Sequence, residues 1–151
     1  MVVYFGADHG GFELKERLKT FVKGLGYEIV DLGNTVLDKT DDYPDFAAAV
    51  AAKVSAEQGA AKGILLCRSG AGVDIVANKF DGVRSVLGVN PDQVYDATHD
   101  DNVNVLSLDS GFVLPEDAEK MVSVFMQTPF GAEERYKRRL DKIKDIENKN
   151  G

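Results

Sequence analysis

A regular alternation of short apolar runs with longer helical segments constrains the fold of this chain more than any other feature. Each of five apolar runs is followed by a glycine or a polar residue. These runs cover residues 2–5, 28–32, 63–67, 83–89 and 103–108. The third is apolar on both faces, as in the buried centre of a parallel sheet. Strand alternating with helix is typical of an open parallel sheet covered by helices, so the sequence predicts an α/β fold.

The intervals between these runs carry helical periodicity. Apolar residues recur there every three or four positions, as on the buried face of a helix. The predicted helices cover residues 12–25, 44–57, 74–79, 91–98, 115–127 and 133–147. In the fifth of them, Met121, Val122 and Phe125 are predicted to face the core.

The last predicted helix is highly charged and has only a thin apolar stripe. That stripe consists of Leu140, Ile143 and Ile146. A helix of this kind is either solvated or packed against a partner, and the second interpretation predicts a homodimer.

Length and composition narrow the class of protein. The chain has 151 residues, which suits one domain spanning residues 1–151 with a proper core. Its net charge is -7, and an acidic chain repels a phosphate backbone, so nucleic-acid binding is not expected. Cys67 is the only cysteine, which excludes an internal disulfide. With two histidines and no C-x-x-C pattern, no metal site is expected either.

No targeting or membrane segment is expected. The N-terminal residues MVVYFGADHGG lack the basic start and the long apolar stretch of a signal peptide. No run approaches the roughly 18 consecutive apolar residues that a membrane helix needs. We therefore expect a cytoplasmic protein with a reduced thiol and no membrane partner.

Ligands of open parallel sheets bind beyond the carboxyl ends of the strands, where the strand order reverses. The loops after the first, third and fourth predicted strands read GADHGG, CRSGAG and VNPDQ. The sequence therefore predicts a functional site at these three loops.

Residues 67–74 read CRSGAGVD and combine a thiol with a glycine-rich turn before a predicted helix. Gly70 and Gly72 allow backbone N–H groups to turn toward an anionic ligand. The same amides would favour the thiolate of Cys67. Taken alone, the stretch also fits a buried core cysteine, and Asp74 is interpreted as the N-cap of the helix.

Three further groups of residues carry titratable or cationic side chains. Asp8 and His9 follow the first strand, where Asp8 either caps the next helix or belongs to a site. His99 lies at the end of a predicted helix, where the helix dipole alone would favour a histidine. Arg135 and Arg139 are four residues apart and share a helix face, which either grips a phosphate or stays solvated.

Together these segments resemble the ribose-5-phosphate isomerase B family, which includes the galactose-6-phosphate isomerase subunits. The matching stretches run in order along the whole chain. They are GADHGGFELKERL, DYPDFA, GILLCRSGAGVDIVANK, His99 with the following DDNVNVL, and TPFGAEERYKRR. The resemblance implies a Rossmann-like three-layer α/β/α sandwich, working as a dimer or tetramer with active sites at the subunit interface. It also implies metal-independent isomerisation of a sugar phosphate through an enediolate, with no cofactor.

The resemblance also implies roles for the matching residues. Cys67 would be the base that moves a proton between C2 and C1, Ser69 would hydrogen-bond the reacting oxygen, and the amides of residues 68–74 would form the oxyanion hole. His99 would open the sugar ring, with Asp8 at or near the same end of the ligand. The expected substrate and phosphate contacts are His9, Tyr43, Arg68, Gly70, Ala71, Gly72, Asp100, Arg135 and Arg139. A thiolate held by amides suits proton removal beside a carbonyl.

Four positions depart from the family pattern, mainly at the phosphate end. Arg68 replaces a glycine, Asp100 an asparagine, Gly111 an arginine of many members, and Tyr136 a histidine. The expected activity is interconversion of ribose 5-phosphate and ribulose 5-phosphate. One alternative is isomerisation of a four-carbon, six-carbon or unphosphorylated sugar. The other is a catalytically silent partner subunit.

Overall fold

Five parallel strands form one sheet in the computed structural model, which describes residues 1–151. The strands are β1 (Val2–Ala7), β2 (Glu28–Asp31), β3 (Ala61–Cys67), β4 (Ser85–Leu87) and β5 (Val105–Asp109). Their order across the sheet is β2-β1-β3-β5-β4, and every neighbouring pair is parallel. The predicted five-stranded parallel sheet is confirmed, and β3 lies at its centre.

Six helices connect and follow the strands. They are α1 (Phe12–Gly24), α2 (Tyr43–Ala56), α3 (Ala71–Ala77), α4 (Pro91–Asp101), α5 (Pro115–Gln127) and α6 (Glu134–Asn150). Helices α1, α4 and α5 pack on one face of the sheet, and α2 and α3 pack on the other. The expected three-layer α/β/α sandwich is therefore confirmed. None of the helices combines the length and apolar character that crossing a membrane requires.

Burial on both faces explains why the sequence of β3 is apolar without alternation. Ile64 and Leu66 point into the layer of α1 and α5, whereas Leu65 and Cys67 point into the layer of α2 and α3. All four side chains are buried, and a fully buried aliphatic side chain contributes roughly 1.5–3 kcal/mol. Strand β3 therefore joins both layers, and its last residue, Cys67, reaches the carboxyl edge of the sheet.

Helix α4 runs from the carboxyl edge of the sheet back to the amino edge, because it connects the parallel strands β4 and β5. The contact at its end shows this direction. The carbonyl oxygen of Asn102, the cap residue of α4, accepts a hydrogen bond at 2.9 Å from Nε of Arg84. Arg84 directly precedes β4. His99, in the last turn of α4, therefore lies toward the amino edge.

Some element boundaries differ from the prediction. Helix α3 begins at Ala71, and the interpretation of Asp74 as its N-cap is wrong, because Gly70 holds that position. Asp74 lies in the first turn instead, where its Oδ1 accepts a hydrogen bond from Ser85 Oγ at 2.6 Å. Strand β4 is shorter than predicted because its edge position leaves it paired with β5 alone.

Helix α6 leaves most of its surface in solvent. Tyr136 is its only buried residue, and Ile146 of the predicted apolar stripe is 58% exposed. The packing of this stripe against a second copy of the chain stays a prediction.

A buried ion pair joins α1 to β2. The Lys15 side chain is fully buried, and its Nζ lies 2.8 Å from Oδ2 of Asp31 and 2.6 Å from the carbonyl oxygen of Asn34. Lys19 contacts the same carboxylate oxygen at 2.8 Å. Burial favours a higher pKa for Asp31, but its bonds to both lysines and to the Gly33 amide outweigh burial and lower that pKa. A buried pair of this kind stabilises the fold only while both partners remain.

The change Asp31→Asn should destabilise the protein, because the buried charge of Lys15 would keep only the more distant, exposed Glu16 carboxylate, 3.5 Å away, as a counter-charge. The expected loss is about 3 kcal/mol in the free energy of unfolding at pH 7, measured by urea denaturation. Glu28→Gln, at an exposed position of the same strand, is the control and should cost little.

The pH dependence of this loss follows from the lowered folded-state pKa of Asp31. The carboxylate contributes its stability above about pH 4 and loses it as the pH falls through the lower, folded-state pKa. The difference in the free energy of unfolding between the wild type and Asp31→Asn should therefore become smaller as the pH falls. A gap that stays constant down to the acid transition would contradict this account.

Candidate active site

A cavity of about 400 Å³ opens at the carboxyl edge of the sheet. Its lining residues are Asp8, Tyr43, Cys67, Arg68, Ser69, Gly72 and Phe112. All of them except Phe112 were candidates from the sequence. The structure therefore brings one group of the predicted site residues together.

The turn after β3 holds the thiol of Cys67. Its Sγ accepts a hydrogen bond from the Gly70 amide at 3.1 Å, which favours negative charge on sulfur. Gly70 has a φ of 72°, and a Cβ added there would lie 2.8 Å from the carbonyl carbon of Leu108 in β5. Both the left-handed backbone and the close approach require glycine. Cys67 is 5% exposed, so it packs in the core and also lines the cavity.

Unpaired backbone amides accompany this turn. The amides of Arg68, Ser69 and Gly72 donate to no acceptor within the chain, whereas the Ala71 amide donates to Ser69 Oγ at 3.3 Å. Gly70 and Ala71 therefore use their amides to build the turn. The three unpaired N–H groups belong to lining residues and give the cavity donors of the kind that an oxyanion needs.

Asp8 comes to the cavity from the loop after β1, and Tyr43 comes from the first turn of α2. Asp8 is buried, and its Oδ1 accepts a hydrogen bond from the Gly11 amide at 3.2 Å, at the start of α1. Asp8 therefore supports the helix and lines the cavity at once. The Tyr43 ring lies against Gly72, where an added Cβ would be 2.5 Å from the ring. Gly72 is thus needed to seat Tyr43.

The loop after β5 also borders the cavity, which the sequence pattern did not predict. The amides of Ser110 and Gly111 donate to the carbonyl oxygens of Cys67 and Arg68 at 3.0 and 2.9 Å. These bonds fix the loop beside the turn after β3, and Phe112 reaches the cavity from it. This loop lies beside the turn after β3 because β5 is the neighbour of β3 in the sheet, and the sequence pattern does not reveal that strand order.

The loop VNPDQ after β4 was expected at the site, but it does not reach this cavity. None of its residues lines the cavity. Strand β4 is at the edge of the sheet, and β5 lies between it and β3.

His9 lies on the loop after β1 but does not line the cavity. Its Nδ1 is 2.7 Å from Oδ1 of Asp41, and its backbone amide donates to the same oxygen at 2.8 Å. The hydrogen bond to Asp41 raises the pKa of His9 against a smaller effect of burial, and the charge of Asp8 acts in the same direction. Protonated His9 has a second ring N–H free to bind an anion.

His99 belongs to a second cluster, away from the cavity. Its Nδ1 is 2.7 Å from Oδ1 of Asp100, and this hydrogen bond lowers the pKa of Asp100. The His99 ring stacks on Tyr95 at 5.4 Å and meets the edge of Tyr136 at 5.7 Å. A Cβ added at Gly131 would lie 2.5 Å from the same ring. With Nδ1 donating to the carboxylate, Nε2 is the nitrogen left for a ligand.

The predicted arginines join this second cluster through Tyr136. The guanidinium carbon of Arg135 lies 4.8 Å from the centre of the Tyr136 ring, and that of Arg139 lies 5.9 Å away. Arg135 also donates to the Tyr136 hydroxyl at 2.9 Å and pairs with Glu133 at 3.2 Å. Both arginines are exposed, so the cluster presents two cations next to His99.

The structure therefore divides the predicted site residues between the carboxyl and the amino ends of the parallel strands. Cys67 ends β3 at the carboxyl edge, and His99 lies toward the amino edge. A seven-residue strand such as β3 spans about 20 Å. One small ligand does not reach both residues within a single chain.

The fold and the cavity define a class of protein. An α/β sheet with a thiol, a carboxylate and unpaired amides around a carboxyl-edge cavity is typical of enzymes acting on small polar metabolites. Residues 3–143 match the family described as Ribose/Galactose Isomerase. The chain belongs to this family of sugar-phosphate isomerases and is an isomerase.

Individual relatives are similar along nearly the whole chain. The probable ribose-5-phosphate isomerase B of Mycoplasma genitalium is 40% identical over 141 residues, which cover 93% of this chain and 92% of that protein. Ribose-5-phosphate isomerase B of Mycobacterium tuberculosis is 35% identical over 147 residues, covering 97% and 90%. The solved Mycoplasma genitalium structure with bound ribulose-5-phosphate matches with a TM-score of 0.94 and 39% identity, covering 97% of this chain and 96% of that one.

The change Asp41→Asn should lower the pKa of His9, because it removes the carboxylate that holds the ring proton. An NMR titration of the His9 ring should give a pKa above about 6.5 in the wild type and a lower one in the variant. Asp45→Asn, at an exposed position in the first turn of α2, is the matched control and should leave the titration unchanged. A wild-type pKa at or below the ordinary histidine value would refute the proposed role of Asp41.

Proposed function

We propose that the protein interconverts ribose 5-phosphate and ribulose 5-phosphate through an enediolate, as a homo-oligomer. The observation that carries this proposal is the Cys67 thiol, bonded to the Gly70 amide at 3.1 Å in a cavity that also contains Ser69 and Asp8. The similarity to a solved structure with bound ribulose-5-phosphate supports the choice of substrate.

In the proposed reaction, the Cys67 thiolate removes the proton from C2 of the open-chain aldose. The C–H electron pair becomes a C1=C2 double bond, and the C1 carbonyl oxygen becomes an oxyanion. A proton then passes from O2 to O1, the thiol returns its proton to C1, and the carbonyl forms at C2. Protons and electron pairs balance, so the step consumes no oxidant or reductant. A base aligned with the C–H bond is what this weak carbon acid needs.

The unpaired amides of Arg68, Ser69 and Gly72 stabilise the enediolate oxygen in this proposal. They are fixed by the turn after β3 and need no rearrangement when the charge develops. In acyl-transfer enzymes, one such donor is worth about 10²–10³ in kcat. The Ser69 hydroxyl bonds a reacting oxygen, while Asp8 and Tyr43 contact the sugar from the other sides of the cavity.

A second copy of the chain supplies the second cluster in this proposal, since His99 and Cys67 lie at opposite edges of one sheet. Nε2 of His99 exchanges protons with the sugar ring to open it, and Asp100 holds the ring through Nδ1. Arg135 and Arg139 bind the phosphate together with His9, whose raised pKa favours its cationic form. The active site is then at the interface of a dimer or tetramer.

A different sugar is the second candidate substrate, and one observation favours it. The Asp100 carboxylate lies in the same cluster as Arg135, close enough for their charges to interact. A carboxylate there offsets cationic charge that would otherwise attract a phosphate. Comparing kcat/KM for four-, five- and six-carbon sugar phosphates and unphosphorylated sugars decides between the candidates. Ligand-induced thermal stabilisation without turnover of any of them would indicate a silent partner subunit.

The change Cys67→Ala should lower kcat/KM for ribose 5-phosphate by about 10²- to 10⁴-fold, since it removes the base. Turnover to ribulose 5-phosphate is measured in a coupled assay. Cys67→Ser keeps the size of the side chain and a hydrogen-bond acceptor for Gly70, but a hydroxyl is a poor base at neutral pH. It should therefore lose activity while its thermal unfolding stays close to the wild type. Full activity of Cys67→Ala would show that another group is the base.

A further inference from the structure

The side chain of Arg68 runs directly over Gly111. A Cβ added at Gly111 would lie 2.9 Å from Cγ of Arg68 and 3.5 Å from its Nε. The two backbones are also joined, because the Gly111 amide donates to the Arg68 carbonyl oxygen at 2.9 Å. The missing side chain at position 111 therefore leaves the space that the stem of Arg68 occupies.

Arg68 is a cation at the cavity without a counter-charge. It forms no salt bridge, whereas Arg17 pairs with Glu119 at 2.8 Å and Arg135 pairs with Glu133 at 3.2 Å. A guanidinium without a partner offers a rigid fork of N–H donors that fits a phosphate or carboxylate with two hydrogen bonds. The exposed guanidinium is therefore free to bind an anionic ligand of the cavity.

The charge around the cavity gives this cation a role in binding an anionic ligand. Asp8 is the other charged residue of the lining, and the chain as a whole has a net charge of -7. Both repel an anion, and the repulsion has to be offset close to the ligand. Within the lining of this cavity, only Arg68 provides positive charge.

We propose that Arg68 and Gly111 form a specificity-determining pair, in which Gly111 makes room for the Arg68 stem and the guanidinium joins His9, Arg135 and Arg139 in binding the phosphate monoester end of the substrate. The identity of that substrate rests on the proposed function. Because Arg68 directly follows Cys67, this contact holds the anionic end of the substrate at the same cavity as the base. The pair therefore selects phosphorylated over unphosphorylated sugars.

The first experiment changes the charge of Arg68. Arg68→Met keeps an apolar stem without the cation, and Arg68→Lys keeps a cation without the fork. For ribose 5-phosphate, Arg68→Met should raise KM about 10- to 100-fold with kcat little changed, and Arg68→Lys should recover part of the loss. Calorimetry should show the same order for binding of ribose 5-phosphate and inorganic phosphate. Unphosphorylated ribose should bind the wild type and Arg68→Met equally.

The second experiment tests Gly111 with a double-mutant cycle. In the wild-type background, the methyl group of Gly111→Ala should displace the Arg68 stem and raise KM for ribose 5-phosphate. In the Arg68→Ala background, which has no Cγ, the same change should have a smaller effect, since only the 3.0 Å approach to the carbonyl oxygen of residue 68 remains. Equal effects in both backgrounds would overturn the pairing. Thermal unfolding checks that each variant is folded. If a Gly111 variant does not fold, the Arg68→Met comparison still tests the role of the guanidinium.

The outcomes separate this inference from the proposed function. If the wild type turns over ribose 5-phosphate with a KM that Arg68→Met does not change, the pair is wrong and the isomerase proposal stands. If Arg68 is required for binding ribose 5-phosphate and phosphate but no turnover occurs, the pair stands and the isomerase proposal falls. If the wild type neither binds nor converts ribose 5-phosphate, both are wrong.

Discussion

The left-handed turn at Gly70 is the constraint on which the rest of the site depends. The φ of 72° at Gly70 turns the chain from the end of the central strand into α3. The close approach of Gly70 to Leu108 leaves no room for a side chain. This geometry aims the Gly70 amide at the Cys67 sulfur and leaves the amides of Arg68, Ser69 and Gly72 unpaired. A buried thiol and three unpaired backbone amides thus come from one turn, held in place by the hydrophobic burial of β3 on both faces.

Parallel topology is the second constraint, because it separates groups that the proposed chemistry needs together. Every helix that connects two parallel strands returns to the amino edge, so α4 carries His99 away from the edge where β3 ends. The candidate residues of the chain therefore form two separate groups, the thiol cavity and the cluster around His99. A second copy that brings its own amino edge to the cavity would complete each site, and the exposed stripe of α6 next to that cluster is available for such contacts.

Much of this was predictable from the sequence, for identifiable reasons. Apolar runs and helical periodicity report burial directly, so all five strands and six helices fall where they were expected, within a few residues. The glycine-rich turn after Cys67 was recognisable because glycine marks left-handed or crowded backbone. Asp74 was misassigned because a cap residue and a first-turn residue look alike in sequence. The role of the loop after β5 and the contact of Arg68 with Gly111 depend on strand order, which local patterns do not contain.

The central claim is that one active site combines Cys67 of one copy with His99 of another. Co-expression of Cys67→Ala with His99→Asn, followed by assay of ribose 5-phosphate turnover, tests it most directly. Each variant alone should be nearly inactive. Mixed dimers contain one site in which both residues are intact, so random pairing should restore on the order of a quarter of wild-type activity. Co-expressed protein that contains mixed dimers but is no more active than the two variants alone would contradict the claim.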